Sequence, residues 1–156
     1  MRYPSLCVAG LLLLLQAPGG TRAAAQDAGV SAATGLEGKR WAWEGFTAPD
    51  AGPLVPAHPE NYWLEFLPHG QLAIQADCNR ATGKWTVEGA ALHLTPLAMT
   101  LMACPEESLD GRFLALLQRT THFRRRGRTL RLELDGPSAV LRFTALAADA
   151  GPSHAP

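Results

Sequence analysis

Hydrophobic and polar residues alternate over much of the chain, with the period of two that is typical of strands having one buried and one solvated face. The alternating runs cover residues 40–44, 61–66, 71–76, 84–88, 92–94, 130–134 and 141–143. Turn-forming residues such as Pro68-His69-Gly70 separate neighbouring runs. Residues 46–60 contain four prolines and are predicted to form a long irregular loop. The pattern as a whole predicts antiparallel strands.

One segment follows a helical period instead. Leu109, Phe113, Leu116 and Leu117 fall at i, i+4, i+7 and i+8, which places them in one apolar stripe. Pro105 suits the first helical position, and the two glutamates after it suit the positive end of a helix dipole. We therefore predict a mainly β fold with one α-helix (α+β). The expected architecture is a curved antiparallel sheet or partly open small barrel, capped by a single amphipathic helix.

The first 25 residues have the pattern of a secretory signal peptide. The apolar run from Val8 to Leu15 is far shorter than the roughly 20 residues that span a bilayer. Small residues follow it at Ala23–Ala25, where signal peptidase acts, and cleavage is predicted between Ala25 and Gln26. No other apolar run approaches spanning length. We therefore expect a protein without a transmembrane segment that is periplasmic or secreted.

Composition and charge narrow the function classes. The chain has 156 residues, 47% of them hydrophobic, which excludes a wholly disordered protein. A formal net charge of +0 gives no reason to expect nucleic acid as a partner. Residues 26–35 are predicted to be a flexible leader, 36–146 the folded domain and 147–156 a disordered tail. The expected oligomeric state is a monomer.

Two cysteines, Cys78 and Cys104, remain after the predicted cleavage. In an oxidising compartment the default expectation is that they pair. Their disulfide would close a loop of about 26 residues and stabilise the fold by roughly 3 to 4 kcal/mol in the chain-entropy model. A redox-active or nucleophilic thiol is less favoured, because the chain has no C-x-x-C motif and no histidine beside either cysteine.

Residues 38–143 resemble the META domain family, the domain of the bacterial heat-shock protein HslJ. The resemblance rests on an ordered series of segments: Leu36–Trp41, Leu64–Phe66, Asp77–Asn79, Gly83–Trp85, Thr100–Pro105, Phe113–Leu117, Leu130–Leu132 and Leu141–Phe143. The most specific parts are the Cys-Asn pair and the Thr-x-Met-Ala-Cys segment. The motif residues are thus Asp77, Cys78, Asn79, Thr100, Met102, Ala103 and Cys104.

The resemblance implies a β-rich fold with one helix in a protein that is commonly exported. The family has no established enzymatic activity or cofactor, and its members are loosely associated with stress tolerance. This chain departs from the family pattern at Asp77, where Gly usually precedes the Cys-Asn pair, and at Asp110, where Glu is usual. Asp77 is expected to alter the local turn, because Asp tolerates positive φ less well than Gly does.

The chain shows no motif for catalysis, for a metal or for a cofactor. Five histidines are present, but no two have a metal-ligand spacing such as i, i+4. G-x-S-x-G, H-E-x-x-H and Gly-rich phosphate loops are missing from the sequence. His93 lies between two leucines and is predicted to be an exposed strand residue. We therefore expect a protein that is not an enzyme.

Two clusters of polar residues have competing interpretations. Asp77, Asn79, Arg80 and Thr82 could form a binding loop held by the disulfide, or a turn in which Asn79 hydrogen-bonds its own backbone. We favour the turn.

A second cluster consists of closely spaced arginines: Arg124, Arg125, Arg126 and Arg128. They could be a contact patch for a phosphate-bearing or acidic envelope partner. They could also be a solvated hairpin whose charges oppose edge pairing. We favour the hairpin.

Two function classes remain. The first is a non-catalytic envelope module that binds an envelope protein or an anionic envelope component. The second is a carrier of a small apolar ligand, with a cavity inside the curved sheet. The large residues Trp41, Trp43, Tyr62, Phe66 and Trp85 could fill that interior or line a pocket.

Overall fold

The computed structural model describes residues 34–136 and 138–147, without the side chain of Leu97. The predicted signal peptide, most of the predicted leader and nearly all of the predicted tail lie outside the described residues. None of the helices in the described part of the chain has the length and apolar character that a membrane crossing requires.

The described residues form nine strands and one α-helix that lies wholly among them. Their bounds are β1 Arg40–Ala48, β2 Ala51–Leu54, β3 Tyr62–Leu67, β4 Gln71–Ala76, β5 Asn79–Glu88, β6 Ala91–Met99, α1 Asp110–Gln118, β7 Thr120–Arg126, β8 Thr129–Leu134 and β9 Val140–Ala145. Short 3-10 turns at Pro59–Asn61 and Pro68–Gly70 precede β3 and β4. The predicted mainly β fold with one helix is confirmed.

Eight of the strands close into an antiparallel barrel. They pair in the order β1-β3-β4-β5-β6-β7-β8-β9, and β9 pairs back with β1. Trp41 shows the closure, since it lies opposite Leu64 of β3 on one side and Ala145 of β9 on the other. On its other edge β1 pairs with β3 over Arg40–Ala42 and with β2 at Phe46 and Ala48, while its pairing with β9 shifts register next to Gly45. The barrel is therefore closed, rather than partly open.

The prediction of an irregular loop over residues 46–60 is partly wrong. β1 continues to Ala48 because Phe46 and Thr47 pair with β9, and β2 occupies residues 51–54. β2 contains Pro53, and within the described residues β1 is its only neighbour in the sheet. An edge strand tolerates proline, because the missing N–H would have faced away from the ladder.

The helix also begins later than its sequence suggests, at Asp110 rather than Pro105. Two contacts fix this start. The N–H of Leu109 donates to the hydroxyl of Tyr62 at 2.9 Å, and the N–H of Asp110 donates to Ser108 Oγ at 3.3 Å. The residues before the helix form a turn instead, in which the N–H of Ser108 donates to the carbonyl of Pro105 at 2.9 Å.

Large side chains fill the barrel interior. Trp41, Trp43 and Phe66 have no exposed surface. At the end where α1 lies, Phe113 stacks on Trp43 with ring centroids 4.8 Å apart. At the end where β1 begins, Leu36 is fully buried and its carbonyl accepts the indole N–H of Trp41 at 3.4 Å. Of the two roles left open for the aromatic residues, filling the interior is the one observed.

Candidate functional site

The segment that follows β6 is fastened to the turn between β4 and β5 by a disulfide. Cys78 and Cys104 are bonded with an S–S distance of 2.03 Å and a Cα–Cα distance of 5.7 Å, so the predicted pairing is present. We call residues 99–104 the anchored loop. Because it runs from the end of a strand to the segment before α1, its backbone has no continuous ladder of its own, and its conformation depends on this fastening.

Asn79 is the second anchor. Its side chain is buried, with 2% of the residue exposed, and its Oδ1 accepts from the N–H of Met102 at 2.8 Å. Its Nδ2 lies 2.9 Å from Asp110 Oδ2, 3.2 Å from the carbonyl of Met102 and 3.3 Å from Cys104 Sγ. The favoured interpretation, in which Asn79 hydrogen-bonds its own backbone, is therefore wrong, because the partners of this amide lie 21 to 31 residues further along the chain.

Thr100 extends the pairing of the loop with β5. Its hydroxyl donates to Asn79 Oδ1 at 3.0 Å and accepts the N–H of Arg80 at 2.9 Å. Its own N–H donates to the carbonyl of Arg80 at 2.9 Å. Hydrogen bonds thus hold Thr100 and Met102 of the family segment against the Cys-Asn turn, and the spacing of these residues along the chain does not reveal them.

Asp77 adopts the positive φ that the usual glycine would allow, at 55°. Its side chain offsets part of the strain, because Asp77 Oδ1 accepts from Asn61 Nδ2 at 3.2 Å. Its backbone is also held, since its N–H donates to the carbonyl of Asn61 at 2.9 Å and its carbonyl accepts from Gln75 Nε2 at 2.6 Å. The departure from the family pattern therefore leaves the turn intact.

The second departure, Asp110, contributes directly to the site. Its carboxylate accepts from Asn79 Nδ2 and therefore links the first residue of α1 to the Cys-Asn turn. In the sequence Asp110 stands out only as a departure from the family pattern, and its contact with Asn79 is not predicted. The family pattern could have indicated this contact, because an acidic residue is usual at this position and its carboxylate can accept a hydrogen bond from an amide.

The anchored loop exposes apolar side chains. Leu101 is 86% exposed, Met102 61% and Met99 41%, while Ala103 is also exposed. Only two other large hydrophobic residues in the described ranges are as exposed, Val55 and Leu146. The loop thus presents an apolar projection that the disulfide and Asn79 hold in place.

The four arginines predicted as a patch fall into two groups. Arg125 donates to the carbonyls of Thr34 and Gly127, and Arg128 donates to the carbonyl of Ala145. Arg124 and Arg126 lie on the outer face of β7, where Arg124 pairs with Glu133 at 2.7 Å. Neighbouring residues of a strand point to opposite faces, so Arg125 is separated from Arg124 and Arg126. Adjacency in the sequence does not show this separation.

No arrangement of metal ligands occurs in the part of the chain that the structure describes, where no three His, Cys, Asp or Glu side chains could hold an ion together. His93 is exposed, as predicted. His58 contacts Glu60 at 3.3 Å and His122 contacts Thr121 at 3.1 Å, both near the surface. These histidines are dispersed over separate elements.

The fold and the anchored loop define a small closed β-barrel domain that is capped at one end by one helix. A family model described as the META domain matches residues 34–147. This match spans more than half of the chain, and the chain belongs to the META domain family. No curated protein matches it.

Solved structures share the fold. A protein from Burkholderia xenovorans, solved by NMR, has 18% sequence identity and a TM-score of 0.61, with 94% of this chain and 100% of that chain covered. A DUF4847 family protein from Bacteroides vulgatus has 13% identity and a TM-score of 0.51, with 74% of this chain and 96% of that chain covered. At such identities the likeness shows the architecture alone.

Proposed function

We propose that this META domain is a non-catalytic binding module of the bacterial envelope, and that its anchored loop docks into an apolar pocket on an envelope protein. The observation that carries the proposal is the disulfide and buried amide that hold an exposed apolar segment in one conformation. Export is supported by the pattern of the first 25 residues and by the disulfide, since disulfides persist in oxidising compartments. A role in stress tolerance rests on the family resemblance.

Rigidity is what makes the loop suited to binding. A free segment would lose backbone and side-chain freedom when a partner captured it, whereas a loop already held at Met102 and Cys104 has lost most of that freedom. Burial of Leu101 and Met102 by a partner would contribute about 1.5 to 3 kcal/mol for each side chain. The projection is therefore energetically able to act as the centre of an interface.

A protein fits the loop better than an anionic lipid surface does. No Lys or Arg lies between Met99 and Cys104, and the exposed Glu106 and Glu107 follow at once. Binding to anionic membranes uses basic residues beside the apolar ones, and glutamates there oppose it. The interior filled by Trp41, Trp43 and Phe66 gives no support to the ligand carrier.

The test begins with a photo-crosslinking amino acid placed at position 101 of the exported protein, followed by purification of the captured envelope protein. Binding of that purified protein is then measured for the wild type and for the Leu101→Ser/Met102→Ser variant. Affinity should fall at least about a hundredfold, because two buried apolar side chains contribute about 3 kcal/mol or more. The matched control is Val55→Ser, which alters an apolar side chain that is 60% exposed outside the loop.

Val55→Ser should bind as tightly as the wild type. Equal losses in the two variants, or no loss in the loop variant, would refute the proposed docking. Both variants should keep the wild-type melting temperature, because the changed side chains are exposed. N-terminal sequencing of the exported protein tests the localisation: a chain beginning near Gln26 is expected, and one still beginning with Met1 would contradict it.

A further inference from the structure

Three arginines lie side by side on the outside of the barrel, on strands that are not those of the anchored loop. In the antiparallel register, Arg124 of β7 is opposite Arg131 of β8, and Arg131 is opposite Arg142 of β9. We call Arg124, Arg131 and Arg142 the arginine row. Neighbouring strands are about 4.8 Å apart, so the row crosses about 10 Å of the outer surface.

The row places three positive charges side by side, and this arrangement does not stabilise the fold. Like charges directly opposite each other on paired strands are destabilising. Six arginines but only two acidic residues occur between Thr120 and Ala145. Glu133 pairs with Arg124 at 2.7 Å. For Arg131 and Arg142, no ion pair or hydrogen bond occurs within residues 34–136 and 138–147, so two guanidinium groups remain available to a ligand.

A groove opens beside two members of the row, Arg124 and Arg131. It has a volume of about 480 Å³ and is lined by Arg124, Arg126, Thr129, Arg131 and Glu133. Its walls supply three guanidinium groups and a hydroxyl as donors, against one carboxylate that already accepts from Arg124. The shape and the donors therefore suit a compact anion of high charge.

We propose that the arginine row and its groove bind a ligand that carries several phosphate groups. A guanidinium group donates two parallel hydrogen bonds to a phosphate, which is stronger and more directional than contact with a point charge. The oxygens of a phosphate point in several directions, so one phosphate accepts from arginines on two adjacent strands. A carboxylate carries a single negative charge on two coplanar oxygens, so it matches fewer of the donors in a row of three arginines than a phosphate does. A row of arginines across the strands therefore selects phosphate over an acidic peptide.

The test measures binding of inorganic tripolyphosphate by calorimetry. It also measures co-sedimentation with phosphatidylcholine vesicles that contain phosphatidic acid, whose surface presents several phosphate groups to one protein. The Arg131→Gln/Arg142→Gln variant should bind at least about tenfold more weakly, because charge-assisted hydrogen bonds are lost. The matched control is Lys84→Gln/Arg112→Gln, which removes two exposed positive charges from β5 and α1. Binding by the control should stay within about twofold of the wild type, since those charges are distant and screened by salt.

The two probes distinguish the sources of phosphate. Binding of vesicles but not of tripolyphosphate assigns a lipid headgroup, and the reverse assigns a soluble polyphosphate. Equal losses in the row variant and the control would refute a specific site, and so would an absence of saturable binding to either probe. Equally tight binding of polyglutamate would also overturn the proposal, because it would show attraction by net charge alone. Melting temperatures should show that both variants are folded, since the exchanged residues are exposed.

Discussion

Asn79→Ala removes the amide that fastens the anchored loop to β5. Asn79 Oδ1 accepts from Met102 and Thr100, and Nδ2 donates its two protons among Asp110, Met102 and Cys104. Alanine keeps the backbone of the β5 strand but leaves these partners without the amide. The change therefore isolates the long-range network from the local turn.

The magnitude follows from the number of bonds and their access to water. Asn79 offers two acceptor and two donor positions, and each protein hydrogen bond contributes about 1 kcal/mol net. Thr100 and Met102 are exposed residues, so water replaces part of what they lose. The contact with Asp110 is part-buried, so water replaces less of the hydrogen bond that its carboxylate loses. Asn79→Ala should therefore lower the free energy of unfolding by about 2 to 3 kcal/mol, and the melting temperature by roughly 10 °C.

Urea denaturation followed by tryptophan fluorescence measures this change. Thr82→Ala, an exposed position on the same strand, is the control and should alter stability by less than about 0.5 kcal/mol. Amide hydrogen exchange adds a local measure, since the N–H of Met102 loses its acceptor in the Asn79 variant and should exchange faster. A loss of stability no larger than that of the control would refute the view that Asn79 anchors the loop.

Asn79→Asp tests the same contact through pH. The new carboxylate would face Asp110 Oδ2, which now lies 2.9 Å from Nδ2. Because the two carboxylates would lie so near each other, the pKa of the introduced group is raised in the folded protein. The folded state then binds more protons than the unfolded state at pH values above about 4, so the stability of the variant falls as pH rises. Its deficit relative to the wild type should shrink between about pH 7 and pH 4. A deficit that is constant over this range would refute the contact with Asp110.

Four further substitutions test the packing and the crosslink, each by urea denaturation. Cys78→Ser should lower the free energy of unfolding by about 2 to 5 kcal/mol, and thiol labelling of the denatured, unreduced wild type should find no reactive cysteine among the two in the folded domain. Phe113→Ala should lower it by about 3 to 5 kcal/mol, because the ring is fully buried between the helix and the barrel. Gly111→Ala should raise it by up to about 1 kcal/mol, because the position is helical and a Cβ there meets nothing within 4 Å. Gly83→Ala should instead be destabilising, because its Cβ would lie 2.6 Å from the carbonyl oxygen of Thr95; a neutral result would contradict this packing.

The strands were predictable from sequence where one face packs against the core. β3 and β4 alternate cleanly between buried and less buried residues, so their hydrophobic pattern matches their structure. β7 gives a weaker signal, because only Thr120 is buried and every residue from Arg124 to Arg126 is exposed. Such a strand exists because its backbone pairs with β8 over six positions, and backbone pairing leaves no mark on the residue types.

The arginine row shows why surface sites are harder to predict than cores. The sequence groups Arg124, Arg125 and Arg126 by adjacency, but strand alternation turns Arg125 away from its neighbours. Register brings in Arg131, and the pairing of β8 with β9 brings in Arg142. Hydrophobic periodicity specifies which face of a strand is buried, but it does not specify which exposed residues meet across strands.

The Cys-Asn turn poses the opposite problem, because its residues were identified while their role was not. A buried amide is costly unless all of its partners are in place, and those of Asn79 lie on the segment between Thr100 and Asp110. The barrel gains little apolar burial from that segment, since Leu101 and Met102 project into solvent. Core packing therefore does not explain why a disulfide and a buried amide both hold the loop. The disulfide and the buried amide fix the shape of an exposed surface, as the proposed docking of this loop on a partner requires.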